Sequence, residues 1–346
     1  MRGRTSELEQ AANEGGTSPK TPITGLCLAD ITQAHEQIQG SVMRTPLVYS
    51  PSLSAMAGAP VHLKLECQQT TGSFKLRGAT NALAHLDPAA LQRGVVTAST
   101  GNHGRALAYA ARARGARAVV CMSHLVPENK VEAIRALGAQ VHIAGHSQDD
   151  AQTEAGKLSE EQGLVVIPPF DDPHVIAGQG TIGLEILEQL PDVRSVLVPL
   201  SGGGLFSGIA LALKSVNPLI RTMGITMEAG CAMHASLCAG RPVQVEEVQT
   251  LADSLGGGIG LDNRYTFALV NALADDTVLV DEASIAQAVR HAYCEEREVV
   301  EGAAAVGIAA LMSGRIDVSR WPGPIVVVLS GRNIDMTLHR QLIGAT

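Results

Sequence analysis

Twice in this chain a short run rich in β-branched residues ends in a glycine-bearing turn and passes into a helix-forming run, and few folds admit that alternation. Val95-Val96-Thr97-Ala98 leads through Ser99-Thr100-Gly101-Asn102-His103-Gly104 into a helical pattern ending near Arg114. Ser195 to Leu200 leads through Ser201-Gly202-Gly203-Gly204 into a helix from Leu205 to Ser215. Further strands are read at Val61 to Leu65, Ala118 to Met122, Gln140 to Ala144 and Arg221 to Met227. Helices are read from Asp30, as N-cap, to Gln39, from Ser73 to Ala84, Lys130 to Leu137 and Gln148 to Glu161. Ile325 to Leu329 is apolar at every position, as a strand covered on both faces must be. The series predicts an α/β fold with mostly parallel, open, twisted sheets flanked by helices.

The size of the chain allows two domains. At 346 residues with 45% hydrophobic content it can bury a sizeable core, and 36 glycines suit tight strand-to-helix turns. We expect a disordered tail over 1–24, a large domain from 25–91 and 167–346, and a small domain from 92–166. The net charge of −8 and the scattered arginines argue against a nucleic-acid surface. Neither a signal peptide nor an apolar run of membrane-spanning length is present, so a cytoplasmic location without membrane contact is expected. Six cysteines occur without CxxC spacing, which gives no zinc motif, and most sit in apolar runs that read as buried thiols. His103, His124 and His234 lack ligand spacing and read as surface or packing residues.

Four short runs carry candidate chemistry. The first is Ser73-Phe74-Lys75-Leu76-Arg77-Gly78-Ala79. An amine must be neutral to condense with an aldehyde, and apolar or cationic neighbours favour that form. Phe74 supplies the apolar neighbour, and Lys64 and Arg77 supply positive charge nearby in sequence. Alone, Lys75 reads as a solvated lysine at a helix start. The second run, Ser99 to Gly104, offers backbone N–H groups and hydroxyls at a helix N-terminus, an anion site in form, and equally a glycine-rich cap. The third, Ser201-Gly202-Gly203-Gly204-Leu205, lets N–H groups approach a phosphate. It is not a Walker loop, and Gly203 and Gly208 do not fit a dinucleotide fingerprint. The fourth, Ser330-Gly331-Arg332-Asn333, ends the last strand, where open α/β sheets bind ligands. Glu301, before a small-residue run, reads as a site residue or as a carboxylate at a helix start.

Together, in this order, the four runs resemble the fold-type II (tryptophan-synthase β-like) pyridoxal-phosphate enzymes, in the threonine dehydratase and serine racemase branch. The resemblance covers about residues 28–340 and includes Val175-Ile176-Ala177-Gly178-Gln179-Gly180-Thr181. It implies pyridoxal 5′-phosphate (PLP) held as a Schiff base on Lys75, which also serves as catalytic base. It implies cofactor contacts from Phe74, Asn102, Ser201, Gly202, Gly203, Gly204, Leu205, Glu301 and Ser330. Substrate contacts are implied for Ser99, Thr100, Gly101, Asn102 and His103. A homodimer is implied as well. Within the branch, Ile167-Pro168-Pro169-Phe170-Asp171-Asp172 and the run from Ala252 to Asn263 most resemble the dehydratases of hydroxyectoine utilisation.

The chain departs from the family pattern at four places. Ser201 stands where the phosphate loop usually begins with glycine, and Ser254 replaces a glycine beside the site. Thr100 stands where serine racemases carry a serine acid/base. Thr226 stands where metal-binding members carry glutamate, so no metal is expected. The resemblance implies a lyase that eliminates water from a 3-hydroxy amino acid to give a 2-oxo acid and ammonium. The alternatives it leaves are threonine/serine or threo-3-hydroxyaspartate dehydratase, or a racemase. A Rossmann-type oxidoreductase and a non-catalytic PLP-binding protein are the rival classes.

Overall fold

A computed structural model describes residues 24–344 except Thr100 and Pro127. The expected tail over 1–24 therefore lies outside the described residues, apart from Thr24. The strands are β1 (Leu47–Tyr49), β2 (Val61–Lys64), β3 (Val95–Ala98), β4 (Ala118–Met122), β5 (Gln140–Ile143), β6 (Val165–Val166), β7 (Ser195–Pro199), β8 (Arg221–Met227), β9 (Asp276–Val280) and β10 (Ile325–Val328). They form two sheets, ordered β1-β2-β10-β7-β8-β9 and β5-β4-β3-β6. All pairings are parallel except β1 with β2.

Strand β10 lies inside the larger sheet, between β2 and β7, and each of its residues is buried. That is why the run from Ile325 carries no polar alternation. Between the two glycine-turn strands, β3 lies in the smaller sheet and β7 in the larger, so the two motifs belong to different sheets. Strands β1 and β6, of three and two residues, are too short to carry a period, whereas β9, with Thr277, Val278 and Val280, carries a β-branched run that the sequence reading does not include.

The helices include α1 (Leu28–Ile38), α2 (Lys75–Ala84), α3 (Asn102–Ala113), α4 (Pro173–Gln189), α5 (Gly204–Val216), α6 (Thr266–Leu273) and α7 (Gly302–Met312). Asp30 does not cap α1. It stands inside the first turn, and its carboxylate accepts from the Cys27 N–H at 2.8 Å, with Cys27 at the cap position. Helix α2 begins at Lys75 rather than Ser73, because Ser73 pairs with Gly331 as an antiparallel bridge. The start of α4 follows from local chemistry: Asp172 accepts from the His174 and Val175 N–H groups, and Pro173 supplies the first-turn φ.

Val175 to Thr181 packs α4 onto α2. Gly178 and Gly78 are where the backbones meet: a Cβ on Gly178 would lie 2.7 Å from Arg77 O and from Gly78 Cα. Gln179 accepts from the Gly78 N–H at 3.2 Å. The cysteines correct one expectation. Cys67 and Cys121 are buried, whereas Cys27, Cys231 and Cys294 are half-buried and Cys238 is exposed. Cys27 and Cys231 stand at helix cap positions rather than inside an apolar element. No described helix is long and apolar enough to cross a membrane.

Candidate active site

Lys75 is the first residue of α2 and faces the C-terminal ends of the larger sheet's strands. Phe74 N donates to Ser330 O at 3.0 Å, which ties the lysine segment to the end of β10. The Lys75 amine lies 5.2 Å from the Phe74 ring centroid and donates to Pro169 O at 2.6 Å. Part of its surface stays open. Even so, desolvation by the surrounding protein lowers the amine to about 8, against a smaller upward pull from the Glu301 carboxylate. An amine at that value is about one-tenth neutral at pH 7, roughly two hundred times more than at the ordinary lysine value.

The cationic neighbours expected from sequence play no part in that shift. Lys64 and Arg77 are buried, and each is neutralised away from the Lys75 amine. Arg77 pairs with Glu66 at 2.8 Å and Glu185 at 2.6 Å, and Lys64 pairs with Glu185 at 2.6 Å. Helix geometry explains the difference, since residue 77 is turned about 200° around α2 from residue 75. The work assigned to those charges is done by desolvation.

Asn102, Glu301 and Asn333 form a hydrogen-bonded group that joins α3 to the start of α7 and the chain beyond β10. Asn102 Nδ2 donates to Glu301 Oε1 at 2.7 Å, and Asn333 Nδ2 donates to Asn102 Oδ1 at 2.6 Å. The Asn333 N–H donates to Glu301 Oε2 at 3.1 Å. Burial and then the charge of Asp253 push the Glu301 carboxyl up to about 7, while the bonds from Asn102 and Asn333 hold it down. His103 is buried beside Lys75. Desolvation and then the Lys75 charge press its imidazole down to about 3, so the ring is neutral. Its Nε2–H donates to Ile167 O at 2.9 Å, and its Nδ1 is buried without a partner among the described residues.

Of the remaining residues in the second run, Ser99 Oγ accepts from the Gly104 N–H in the first turn of α3 at 3.1 Å, while Gly101 stands at the cap position. A Cβ on Gly101 would meet nothing within 4 Å, and the Gly101 N–H donates to Ser99 Oγ at 3.4 Å. Thr100 lies outside the described residues. The third run forms the turn from β7 to α5. Gly203 has φ +88, and Cβ atoms on Gly202 and Gly204 would lie 2.4 Å and 3.0 Å from Phe170. Ser201 opens this turn and Leu205 is buried in the first turn of α5.

The segment that joins these parts is Pro169-Phe170-Asp171, which the sequence marks as part of the resembling run 167–172 but not as part of the site. Pro169 O holds the Lys75 amine, and the Phe170 ring lies on the glycine turn. Asp171 accepts from the Arg264, Tyr265 and Thr266 N–H groups, at 2.7, 3.0 and 2.8 Å, and so anchors the segment on the start of α6. The signal available was the adjacent Pro168-Pro169, which marks a rigid extended stretch.

The arrangement fits PLP. Lys75 offers the enclosed amine. The glycine turn leaves backbone N–H groups at the start of α5 uncovered by any Cβ, as a phosphate requires. Ser330 is buried at the end of β10, where a hydroxyl can meet a ring nitrogen. Among the described residues no group of His, Cys, Asp and Glu could hold a metal.

A family model described as pyridoxal-phosphate dependent enzyme matches residues 38–331. A Sinorhizobium fredii protein, provisionally named a threonine dehydratase, is 59% identical over 322 residues, which cover 93% of this chain and 96% of that one. The L-threonine ammonia-lyase of Thermotoga maritima is 43% identical over 319 residues, covering 92% of this chain and 78% of that protein. Among solved structures, maize serine racemase matches with a TM-score of 0.87 and 35% identity, covering 91% of this chain and 96% of that one. The chain belongs to the pyridoxal-phosphate-dependent enzymes, in their threonine dehydratase and serine racemase-like group, and is a lyase with pyridoxal 5′-phosphate as its cofactor.

Proposed function

We propose that the chain eliminates water from a 3-hydroxy amino acid, yielding a 2-oxo acid and ammonium, with Lys75 as both cofactor anchor and base. The observation that carries this reading is the enclosed Lys75 amine, lowered to about 8 and held on Pro169 O beside the end of β10. PLP, when bound, supplies the electron sink for charge developing at the substrate Cα. Lys75 Nζ takes the Cα proton as general base. The N–H groups around Gly101, with Asn102, bind the substrate carboxylate and orient the Cα–H bond toward Lys75. The neutral Ser330 hydroxyl would meet the ring nitrogen without adding charge, which suits prompt loss of the β-hydroxyl. Glu301, through Asn102, fixes the amide that would meet the cofactor's phenolic oxygen.

The named relatives support a threonine-like substrate. A second reading, the acetylated diaminobutyrate derived from hydroxyectoine, rests on the resemblance of the runs at 167–172 and 252–263. Ser254 adds a hydroxyl where the family pattern has glycine, and it donates to Asp253 Oδ1 at 3.4 Å. The test is 2-oxo acid release from L-threonine, L-serine, threo-3-hydroxyaspartate and the 3-hydroxy acetylated diaminobutyrate. One of them is expected to lead in kcat/KM, and release from none overturns the reading. Lys75→Ala is expected to abolish turnover, visible cofactor absorbance and its bleaching by borohydride. Full turnover by that variant would remove Lys75 from the mechanism. The reading includes a homodimer, supported by exposed Met43, Val48, Tyr49 and Met56 around the edge strand β1 and checked by light scattering.

A further inference from the structure

One charged side chain beside the site is unused by the proposed reaction. Arg105 stands near the start of α3, three residues after Asn102, so the two share one face of the helix with Cβ atoms about 5–6 Å apart. Over residues 102–111, only Arg105 and Tyr109 are not buried, and both continue the stripe that Asn102 begins. That stripe is the open side of α3, and its inner end is Asn102 on Glu301 Oε1 at 2.7 Å.

The half-buried guanidinium has no counter-charge in contact. Its side chain makes no hydrogen bond and no ion pair among the described residues. Desolvation holds it below its ordinary value, and the Glu301 charge, acting from beyond contact, pulls the other way. Glu301 does not neutralise it. Both carboxyl oxygens are taken, by Asn102 at 2.7 Å and by the Asn333 N–H at 3.1 Å, and the carboxyl is pushed up to about 7. The buried Arg77, by contrast, has two carboxylates in contact, at 2.6 and 2.8 Å. An arginine stays charged at any working pH and presents five N–H donors in a planar fork that matches a carboxylate. A desolvated guanidinium with an open side and no bonded partner gains strongly from an acceptor oxygen brought by a ligand.

We propose that Arg105 is a specificity-determining residue, donating to an acceptor oxygen, of a carboxylate or an amide, at the far end of the substrate's side chain. The inference rests on the dehydratase reading, which puts the substrate α-carboxylate at Gly101 and Asn102, about one helical turn from Arg105. Among 3-hydroxy amino acids, threo-3-hydroxyaspartate and the acetylated diaminobutyrate derivative carry such an oxygen. Threonine and serine do not. A site that donates to a substrate group rejects the analogue lacking it, because the donor is then left unpaired.

Binding to the holoenzyme is read from the change in visible cofactor absorbance, with amino acids that carry no 3-hydroxyl and so lose no water. L-Aspartate and L-asparagine bring the acceptor oxygen, and L-leucine has the same branched outline without it. The wild type is expected to bind L-aspartate or L-asparagine at least tenfold more tightly than L-leucine, and the tighter of the two tells a carboxylate from an amide. Arg105→Met keeps the apolar stem and is expected to cut that preference below threefold. Arg105→Lys keeps the charge without the fork and is expected to lose at least threefold of it. Thermal melts report the fold, and if the methionine variant melts early the lysine variant decides. In turnover, the ratio of kcat/KM for threo-3-hydroxyaspartate over L-threonine is expected to fall at least tenfold in Arg105→Met. No preference in the wild type overturns the proposal, as does a preference that survives both variants. Equal weakening of all three ligands overturns it too, by placing Arg105 on the α-carboxylate. The absorbance titrations need no elimination, so failure of the dehydratase reading leaves them standing and the two outcomes are separable.

Discussion

At the scale of single residues, the decisive quantities are the protonation states of Lys75 and Glu301. Lys75 is lowered to about 8 by desolvation and raised by the Glu301 charge. Because the amine attacks only when neutral, PLP uptake by the apoprotein should accelerate with rising pH through about 8. Removing the carboxylate in Glu301→Gln takes away the upward pull, so the acceleration should move to lower pH. Stopped-flow absorbance against pH measures both, and an unmoved profile in Glu301→Gln would refute the coupling. His103 shows how a residue can be assigned by environment alone. It lacks ligand spacing in sequence, yet burial makes it a neutral ring beside the reactive amine.

At the scale of elements, two contacts set the position of α2. Its first turn is tied to the end of β10 through Phe74 N and Ser330 O, and its second turn is pressed against α4 at Gly78 and Gly178. Gly178→Ala would place a methyl 2.7 Å from backbone atoms that no side-chain rotation can clear. It is expected to cost about 1–3 kcal/mol and to lower the thermal midpoint. The run from Val175 to Thr181 was legible as a motif, but its role was not. A glycine required by a neighbouring helix looks, in one dimension, like a glycine required by a ligand.

At the scale of the whole molecule, buried charges link segments distant in sequence. Lys64 on β2, Glu66 after it, Arg77 on α2 and Glu185 on α4 form one network with Thr45 and Thr181. Removing one member strands its partners in low dielectric. Arg77→Met is therefore expected to cost about 3–5 kcal/mol in urea unfolding, well beyond an exposed pair such as Arg44–Glu188. A cost below about 1 kcal/mol would show that the network's charges are solvated. The Asn102–Glu301–Asn333 group joins the helix after β3 of the smaller sheet to elements flanking the larger sheet, and so ties the second sequence run to the fourth.

The sequence by itself determined the alternation of strands and helices, the central place of the run from Ile325, and the four runs that meet at the site. These are local: a hydrophobic period, a glycine turn and a helix start are set by neighbours within a few residues. Only the tertiary structure decided what surrounds each side chain. It moved Lys64 and Arg77 from the lysine's neighbourhood into an ion network, and it brought in Pro169, Phe170 and Asp171 to hold the amine, the glycine turn and α6 together. The physical reason is that desolvation and hydrogen bonding act through space. A pKa or a carbonyl's partner is set by residues about a hundred positions away, as Pro169 is from Lys75.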